Sequence, residues 1–202
     1  MTKEKAPGLH GIVSLLDGEH YAAVEALWAE LEREFGLQGI YVTPYPHFSY
    51  QVAADYEVER LTAILQRFAL QSRAFRASTA GLGVFTGPQP VLYVPLVRSL
   101  ELTQYHQSLW QAVAPAARGP VAYYQPARWL PHITLAHGDL DRERLAEVLR
   151  YLGDRPFSWE ITVNNLAFIY DAGASHELLR RFEFGQDTSQ DLSVGQKGES
   201  TV

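Results

Sequence analysis

The 202-residue chain contains no cysteine, which excludes disulfide staples, thiolate metal centres, Fe–S clusters and cysteine nucleophiles. A reducing, cytoplasmic setting is compatible with this and is expected. No apolar stretch approaches the ~20 residues of a membrane helix. Residues 1–9 carry Lys3 and Lys5 without the apolar run of a secretory leader, so neither secretion nor membrane spanning is expected. Lysine is scarce, with three residues near the termini, and the formal net charge is -6. That balance excludes a protein that coats nucleic acid through bulk positive charge. What remains, 47% apolar and 20% charged residues, is an ordinary globular composition, long enough for one or two domains with a sizeable core.

The charge is unevenly spread. Between residues 6 and 59 the net is -8, whereas residues 60–136 hold seven arginines (Arg60, Arg67, Arg73, Arg76, Arg98, Arg118, Arg128) against Glu101, a net of +6. Arginine's planar fork suits bidentate phosphate contacts, so this segment is expected to favour a local phosphate site within an acidic exterior. For a single arginine the commoner role is a solvated helix face.

Period and punctuation give the element order. Residues 10–16 read as a buried strand, followed by an Asp17-capped helix over 19–35 with Val24, Leu27, Trp28, Leu31 and Phe35 at helical spacing and Gly36 as its stop. A strand over 46–53 comes next, then a second helix capped by Asp55 and buried through Val58, Leu61, Leu65 and Phe68. Residues 75–85 are strand-like. After the loop 86–90 the pattern repeats: strand 91–97, placed at a sheet edge by Pro95, a Ser99-capped helix, a Pro-rich connection, strand 131–137, a helix capped by Asp139 or Asp141, and closing strands over 157–170 and 177–184. The expectation is a single bilobal domain over 1–185, with lobes at about 8–85 and 90–185, and a disordered polar tail at 186–202.

The repeat carries its chemistry in one tetrapeptide. Pro46-His47-Phe48-Ser49 and Pro131-His132-Ile133-Thr134 share the form Pro-His-apolar-hydroxyl, 85 residues apart. Chance predicts about 0.04 such matches, and two occur in equivalent slots of the duplication. Strand alternation puts His47 beside Ser49 and His132 beside Thr134, with Phe48 and Ile133 on the opposite face. A third His-x-Ser, at His106, lies within a helix, where positions two apart diverge, and is taken as chance. His10, His20 and His176 are read as structural. His137 stands at the end of its strand, where alternation points it away from His132 but often fails.

On these two motifs the chain resembles the two-histidine (2H) phosphoesterase superfamily, which includes bacterial RNA 2′,3′-cyclic phosphodiesterases, also called 2′-5′ RNA ligases. The resemblance spans about 9–184. It implies an α+β fold with two antiparallel sheets lining a central cleft and helices outside, and no metal or other cofactor. It also implies His47 and His132 as the catalytic pair, with Ser49 and Thr134 holding phosphate or water. Many members carry arginine where His137 stands and threonine where Ser49 stands. Arg128, His137 or one of the other central arginines is therefore a candidate to meet the phosphate charge. Tyr50 and Trp129 are candidates for contact with a base, among the flanking aromatics Tyr41, Tyr45, Tyr123 and Tyr124, although core packing is the commoner role of such rings.

Opening a 2′,3′-cyclic phosphate needs a base for the attacking water and, in line opposite, an acid for the departing ribose oxygen. Histidine titrates near pH ~6.5, so at neutrality one imidazole can serve as base and its partner as acid. The expected activity is a metal-independent phosphodiesterase acting on an RNA terminus or a small cyclic nucleotide, in a chain expected to be a monomer. Two alternatives stand beside it: a 2′-5′ ligase or phosphodiesterase, and a catalytically silent nucleotide- or RNA-binding module.

Overall fold

The computed structural model describes residues 8–185; the tail expected to be disordered, 186–202, lies outside the described residues. In chain order the elements are β1 (His10–Leu15), α1 (Gly18–Phe35), β2 (His47–Tyr56), α2 (Val58–Gln71), β3 (Phe75–Ser78), β4 (Gly83–Phe85), β5 (Val91–Pro95), α3 (Leu100–Val113), β6 (Ala117–Pro120), β7 (His132–Ala136), α4 (Arg142–Leu152), β8 (Glu160–Val163), β9 (Asn165–Asp171) and β10 (His176–Glu183). None of these helices is long and apolar enough to cross a membrane.

The capping chemistry explains most boundaries. Asp17 accepts from His20 N at the start of α1, and Gly36 ends that helix at φ 69°, a conformation that costs a side-chain-bearing residue more. Ser99 and Asp141 accept from Leu102 N and Arg144 N at the starts of α3 and α4. Asp139, the other candidate cap, instead accepts from Gln38 N and Gly39 N and ties the α1–β2 connection to the β7–α4 turn. Asp55 does not cap α2. β2 continues through it, paired with β6, and Asp55 lies 3.5 Å from Arg118 across that pair. Pro95 does not mark an edge either: β5 runs between β4 and β7, and the proline occupies its last position.

Eight strands form one antiparallel sheet in the order β10-β9-β1-β2-β7-β5-β4, with β6 on the far end of β2. The two sheets implied by the resemblance are its halves, joined where β2 meets β7 through the single pair Phe48–Ile133. β3 and β8, the strands that follow the second helix of each repeat, pair with each other as a separate ribbon. The repeats also exchange strands. β4, from the first half of the chain, pairs with β5, while β9, from the second, pairs with β1. Each half of the large sheet therefore draws on both halves of the sequence.

The helices cover the face opposite the motif side chains. Phe48 and Ile133 are buried in one core with Leu61 and Leu65 of α2, Leu102 and Leu109 of α3 and Val148 and Leu152 of α4. The packing is crossed as well: α1 lies against β7 and α3 against β2. Trp28 of α1 donates its indole N–H to Thr134 O at 3.1 Å, and Trp129, just before β7, donates to Ser49 O at 2.8 Å. Where the β2–β7 ladder is a single pair long, an indole thus holds each motif strand at the carbonyl of its hydroxyl residue.

Candidate active site

Pairing Phe48 with Ile133 in antiparallel register sets His47 across from Thr134 and Ser49 across from His132. All four side chains project from the same face. They are half-buried, whereas Phe48, Tyr50, Ile133 and Leu135, of opposite parity, are buried. The two imidazoles occupy diagonal positions about the local twofold, within reach of one another across the pair.

Both rings are oriented the same way. His47 Nδ1 bonds Tyr45 O at 2.5 Å and His132 Nδ1 bonds Leu130 O at 2.8 Å. A carbonyl only accepts, so Nδ1 carries the hydrogen in each ring and Nε2 is the nitrogen left for chemistry. In each case the acceptor is two residues upstream with a proline between. That proline confines Tyr45 or Leu130 to extended backbone and fixes the direction of the accepting carbonyl. The proline of each motif therefore positions the imidazole that follows it.

The electrostatics keep the free site neutral. Burial pushes His47 down to about 4; its bond to Tyr45 O acts the other way, and the neighbouring imidazoles His132 and His176 lower it further. Burial also lowers His132, opposed by its bond to Leu130 O. The two imidazoles repel each other when charged, so a first proton on the pair discourages a second. Both rings are thereby biased toward the neutral form.

A cavity of about 650 Å³ opens beside the motifs, lined by Phe85, Val91, Tyr123, Tyr124, Arg128, Leu130, His132, Thr134 and His137, a size common for small-ligand sites. His137 follows the last residue of β7, where alternation has lapsed, and joins the same wall as His132; burial lowers its pKa, opposed by Asp139. Arg128 also lies on the wall, its guanidinium 5.8 Å from the centre of the Tyr123 ring.

Two aromatic candidates are corrected. Tyr50 is 1% exposed with its hydroxyl on Ser14 Oγ, and Trp129 is 1% exposed, stacked on His106 and bonded to Ser49 O. Neither can meet a base. The exposed rings on the cavity wall are Tyr123 and Phe85. His106 is buried within α3, bonded to Tyr50 O, in keeping with its motif being chance.

The arginines do not converge on the cleft. Arg60 lies near Glu57, Arg118 near Asp55, Arg76 bonds Thr162 and the Glu160 carbonyl, and Arg98 bonds Pro126 O. Of the seven, only Arg128 belongs to the cavity wall. The basic segment is a property of the linear order, not of the site.

His176, read as structural, stands at this site. It bonds Thr43 Oγ1 through Nδ1, its Nε2 lies 3.9 Å from Asp171 Oδ2, and its charge bears on both His47 and His137. Phe85 and Tyr93 were also not singled out from the sequence, yet they stack on each other and stand against His132. No local motif marks these three; strand pairing brings them in. Among the described residues no group of three or more His, Asp or Glu side chains is arranged to hold a metal ion.

Comparison with known proteins agrees with this geometry. The profile of the 2′-5′ RNA ligase superfamily matches residues 19–174. Among solved structures, TT0787 of Thermus thermophilus superposes with a TM-score of 0.59 at 18% identity, over 88% of this chain and 98% of that one. A second, a phosphoesterase, gives 0.54 at 15% identity over 89% and 99%. Escherichia coli LigT, solved in complex with 3′-AMP, gives 0.50 at 13% identity, also over 89% and 99%. At these identities the structures are alike in fold. No curated protein matches the sequence. With its duplicated strands, paired histidines and a family match over most of its length, the chain belongs to the 2′-5′ RNA ligase superfamily of two-histidine phosphoesterases.

Proposed function

We propose that the protein is a metal-independent phosphodiesterase that opens 2′,3′-cyclic phosphates, at an RNA terminus or on a small nucleotide, by general acid and base catalysis from His47 and His132. The observation that carries this reading is the matched orientation of the two rings. Each is held through Nδ1 by the carbonyl two residues upstream, so each offers Nε2 on the face shared with Ser49 and Thr134. A phosphate between them would meet two imidazoles on opposite sides, the geometry an in-line displacement requires. The Ser49 and Thr134 hydroxyls are the donors for its non-bridging oxygens, where charge accumulates. Arg128 and His137, on the wall of the adjoining cavity, face the same anion. The cavity's size and its exposed aromatic rings suit a nucleoside.

The test is turnover of 2′,3′-cyclic mononucleotides, and of an RNA oligomer ending in the cyclic phosphate, with excess EDTA present. His47→Ala and His132→Ala should each lower kcat by roughly 10²- to 10⁴-fold. Absence of turnover by the wild type, or equal turnover by the variants, refutes the proposal. Loss of activity in EDTA that added metal restores refutes its metal-independent part.

A further inference from the structure

We infer that His176 is a positioning residue for His47: through Thr43 it anchors the segment whose Tyr45 carbonyl aims the imidazole, so that the start of β10 serves the site. This rests on the role proposed above for His47 and adds a side chain that the paired motifs do not contain.

The two motif histidines are reached by differently anchored backbone. In both repeats the motif proline is held from the neighbouring strand. Pro46 O accepts from Leu16 N at 3.1 Å, just after β1, and Pro131 O accepts from Leu96 N at 2.9 Å, just after β5. Further upstream the repeats differ. Leu130, whose carbonyl accepts from His132, follows Trp129, whose indole is buried and bonded to Ser49 O and whose backbone N–H reaches Gln125 O at 2.9 Å. Tyr45, whose carbonyl accepts from His47, follows Pro44, which is exposed and has no N–H to donate. The segment before His47 takes its anchor from elsewhere in the fold.

β10 supplies it. Leu178 pairs with Ile169 and packs, as Tyr45 does, on the buried cluster of Val13, Leu15, Ala167 and Ile169. Strand alternation puts His176, two residues earlier, on the same face, where its Nδ1 is hydrogen-bonded to Thr43 Oγ1. Thr43 closes a short helical turn over Gly39–Val42, its N–H donating to Ile40 O at 3.0 Å, and its own carbonyl accepts from Tyr45 N at 2.8 Å. The bonds run without a break from the His176 ring to the Thr43 side chain, from Thr43 O to Tyr45 N, and from Tyr45 O to His47 Nδ1. Burial is the main cause of the lowered His47 pKa, and the charge of His176 adds to it, in keeping with two imidazoles that stand near each other.

The bond from His47 Nδ1 to Tyr45 O decides which ring nitrogen carries the hydrogen. Without the Thr43 contact the peptide between Pro44 and Tyr45 is free to turn, and the Tyr45 carbonyl loses its aim. A neutral imidazole released from that acceptor can place its hydrogen on Nε2, the nitrogen that the reaction needs. The loss therefore falls on the chemical step and not on substrate binding.

The experiment compares His176→Ala and Thr43→Val, which remove the contact, with His176→Asn and Thr43→Ser, which keep it. An asparagine amide offers a donor and an acceptor near the place of Nδ1, and serine retains the hydroxyl. Long-range proton–nitrogen correlation spectra of the isotopically labelled full-length chain, at about pH 8 where an ordinary imidazole is neutral, report the tautomer of each ring. Removing the contact should move part of the His47 population to the Nε2–H form and leave His132 unchanged, while the two conservative variants keep the wild-type signals. On a 2′,3′-cyclic mononucleotide, His176→Ala and Thr43→Val should lower kcat roughly 10- to 100-fold with KM within about twofold, the mark of an interaction that orients rather than binds. The double variant should be no slower than the slower single one, because both remove one contact. Exchange of a hydroxyl for a methyl at half-buried Thr43 keeps the test open if His176→Ala does not fold. Unchanged His47 signals on removing the contact, or a loss of kcat that His176→Asn and Thr43→Ser share, overturns the inference. Failure of the wild type to open the nucleotide overturns the ring-opening reading instead, and the spectra alone then decide whether His176 aims the His47 ring.

Discussion

The pH dependence of turnover follows directly from the burial of the two imidazoles. Reaction needs one ring protonated and the other not, and for the free enzyme the populations are set by a pair with both pKa values depressed, His47 to about 4 and His132 below its usual 6.5. Above pH 6.5 the singly protonated form is a minority that shrinks tenfold with each pH unit. Measured as kcat/KM, activity should therefore fall roughly 30-fold between pH 6.5 and 8, and fall again below about pH 4 as both rings take protons. The shape is the same whichever ring is the acid. The assay is initial rates on a cyclic mononucleotide at substrate well below KM, in buffers of constant ionic strength, with circular dichroism at each pH to confirm that the chain stays folded. The profile of kcat should be displaced to higher pH, because the bound phosphate anion favours the proton that the free site sheds. A kcat/KM that is flat or rising from pH 6.5 to 8 would refute the electrostatic argument, since it would require a ring with a raised pKa.

Other expectations are as direct. Tyr123→Ala and Phe85→Ala should each raise KM for a cyclic nucleotide, by roughly 5- to 150-fold if a base stacks on each for 1–3 kcal/mol, while Tyr50→Phe leaves KM unchanged because that ring is 1% exposed. Trp129→Phe removes the donor to Ser49 O and should cost about 1–3 kcal/mol in urea unfolding. Fully buried His106 is depressed to about 4, first by burial. Its folded value lies below its unfolded one, so its contribution to stability is complete above pH 6.5 and is lost as pH falls through about 4. The shift corresponds to about 3 kcal/mol, and His106→Gln should remove up to about that much from the acid destabilisation seen by urea titration at pH 7 and pH 4.5.

Much of the site could be read from alternation alone. His47 with Ser49 and His132 with Thr134 share a face because a strand permits nothing else, and the same rule sets Tyr50, three residues after His47, on the buried side. Local caps were equally legible, Asp17, Ser99 and Asp141 each lying one residue before its helix. Asp55 misled because β2 is extended by β6, a strand that a Pro-rich connection gave no reason to expect. The rings gathered around the motif histidines were hidden for a similar reason. Phe85 and Tyr93 reach His132 through pairings between strands, and His176 arrives from β10 more than a hundred residues after His47. The arginines show the converse error, in which neighbours in the chain point to separate surfaces.

The exchanged strands bear on how such a molecule divides. A cut within the exposed stretch 86–89 yields two fragments, each with one Pro-His strand. Neither fragment closes its own sheet, since each has given its last strands to its counterpart. That is the architecture of an intertwined homodimer written as one gene, with its axis passing between the imidazoles. The tether frees the two copies to diverge: Gly83, paired with Tyr93 beside Thr134, stands where the other side has Ala167, paired with Val13 beside Ser49, a difference that two identical chains could not have kept.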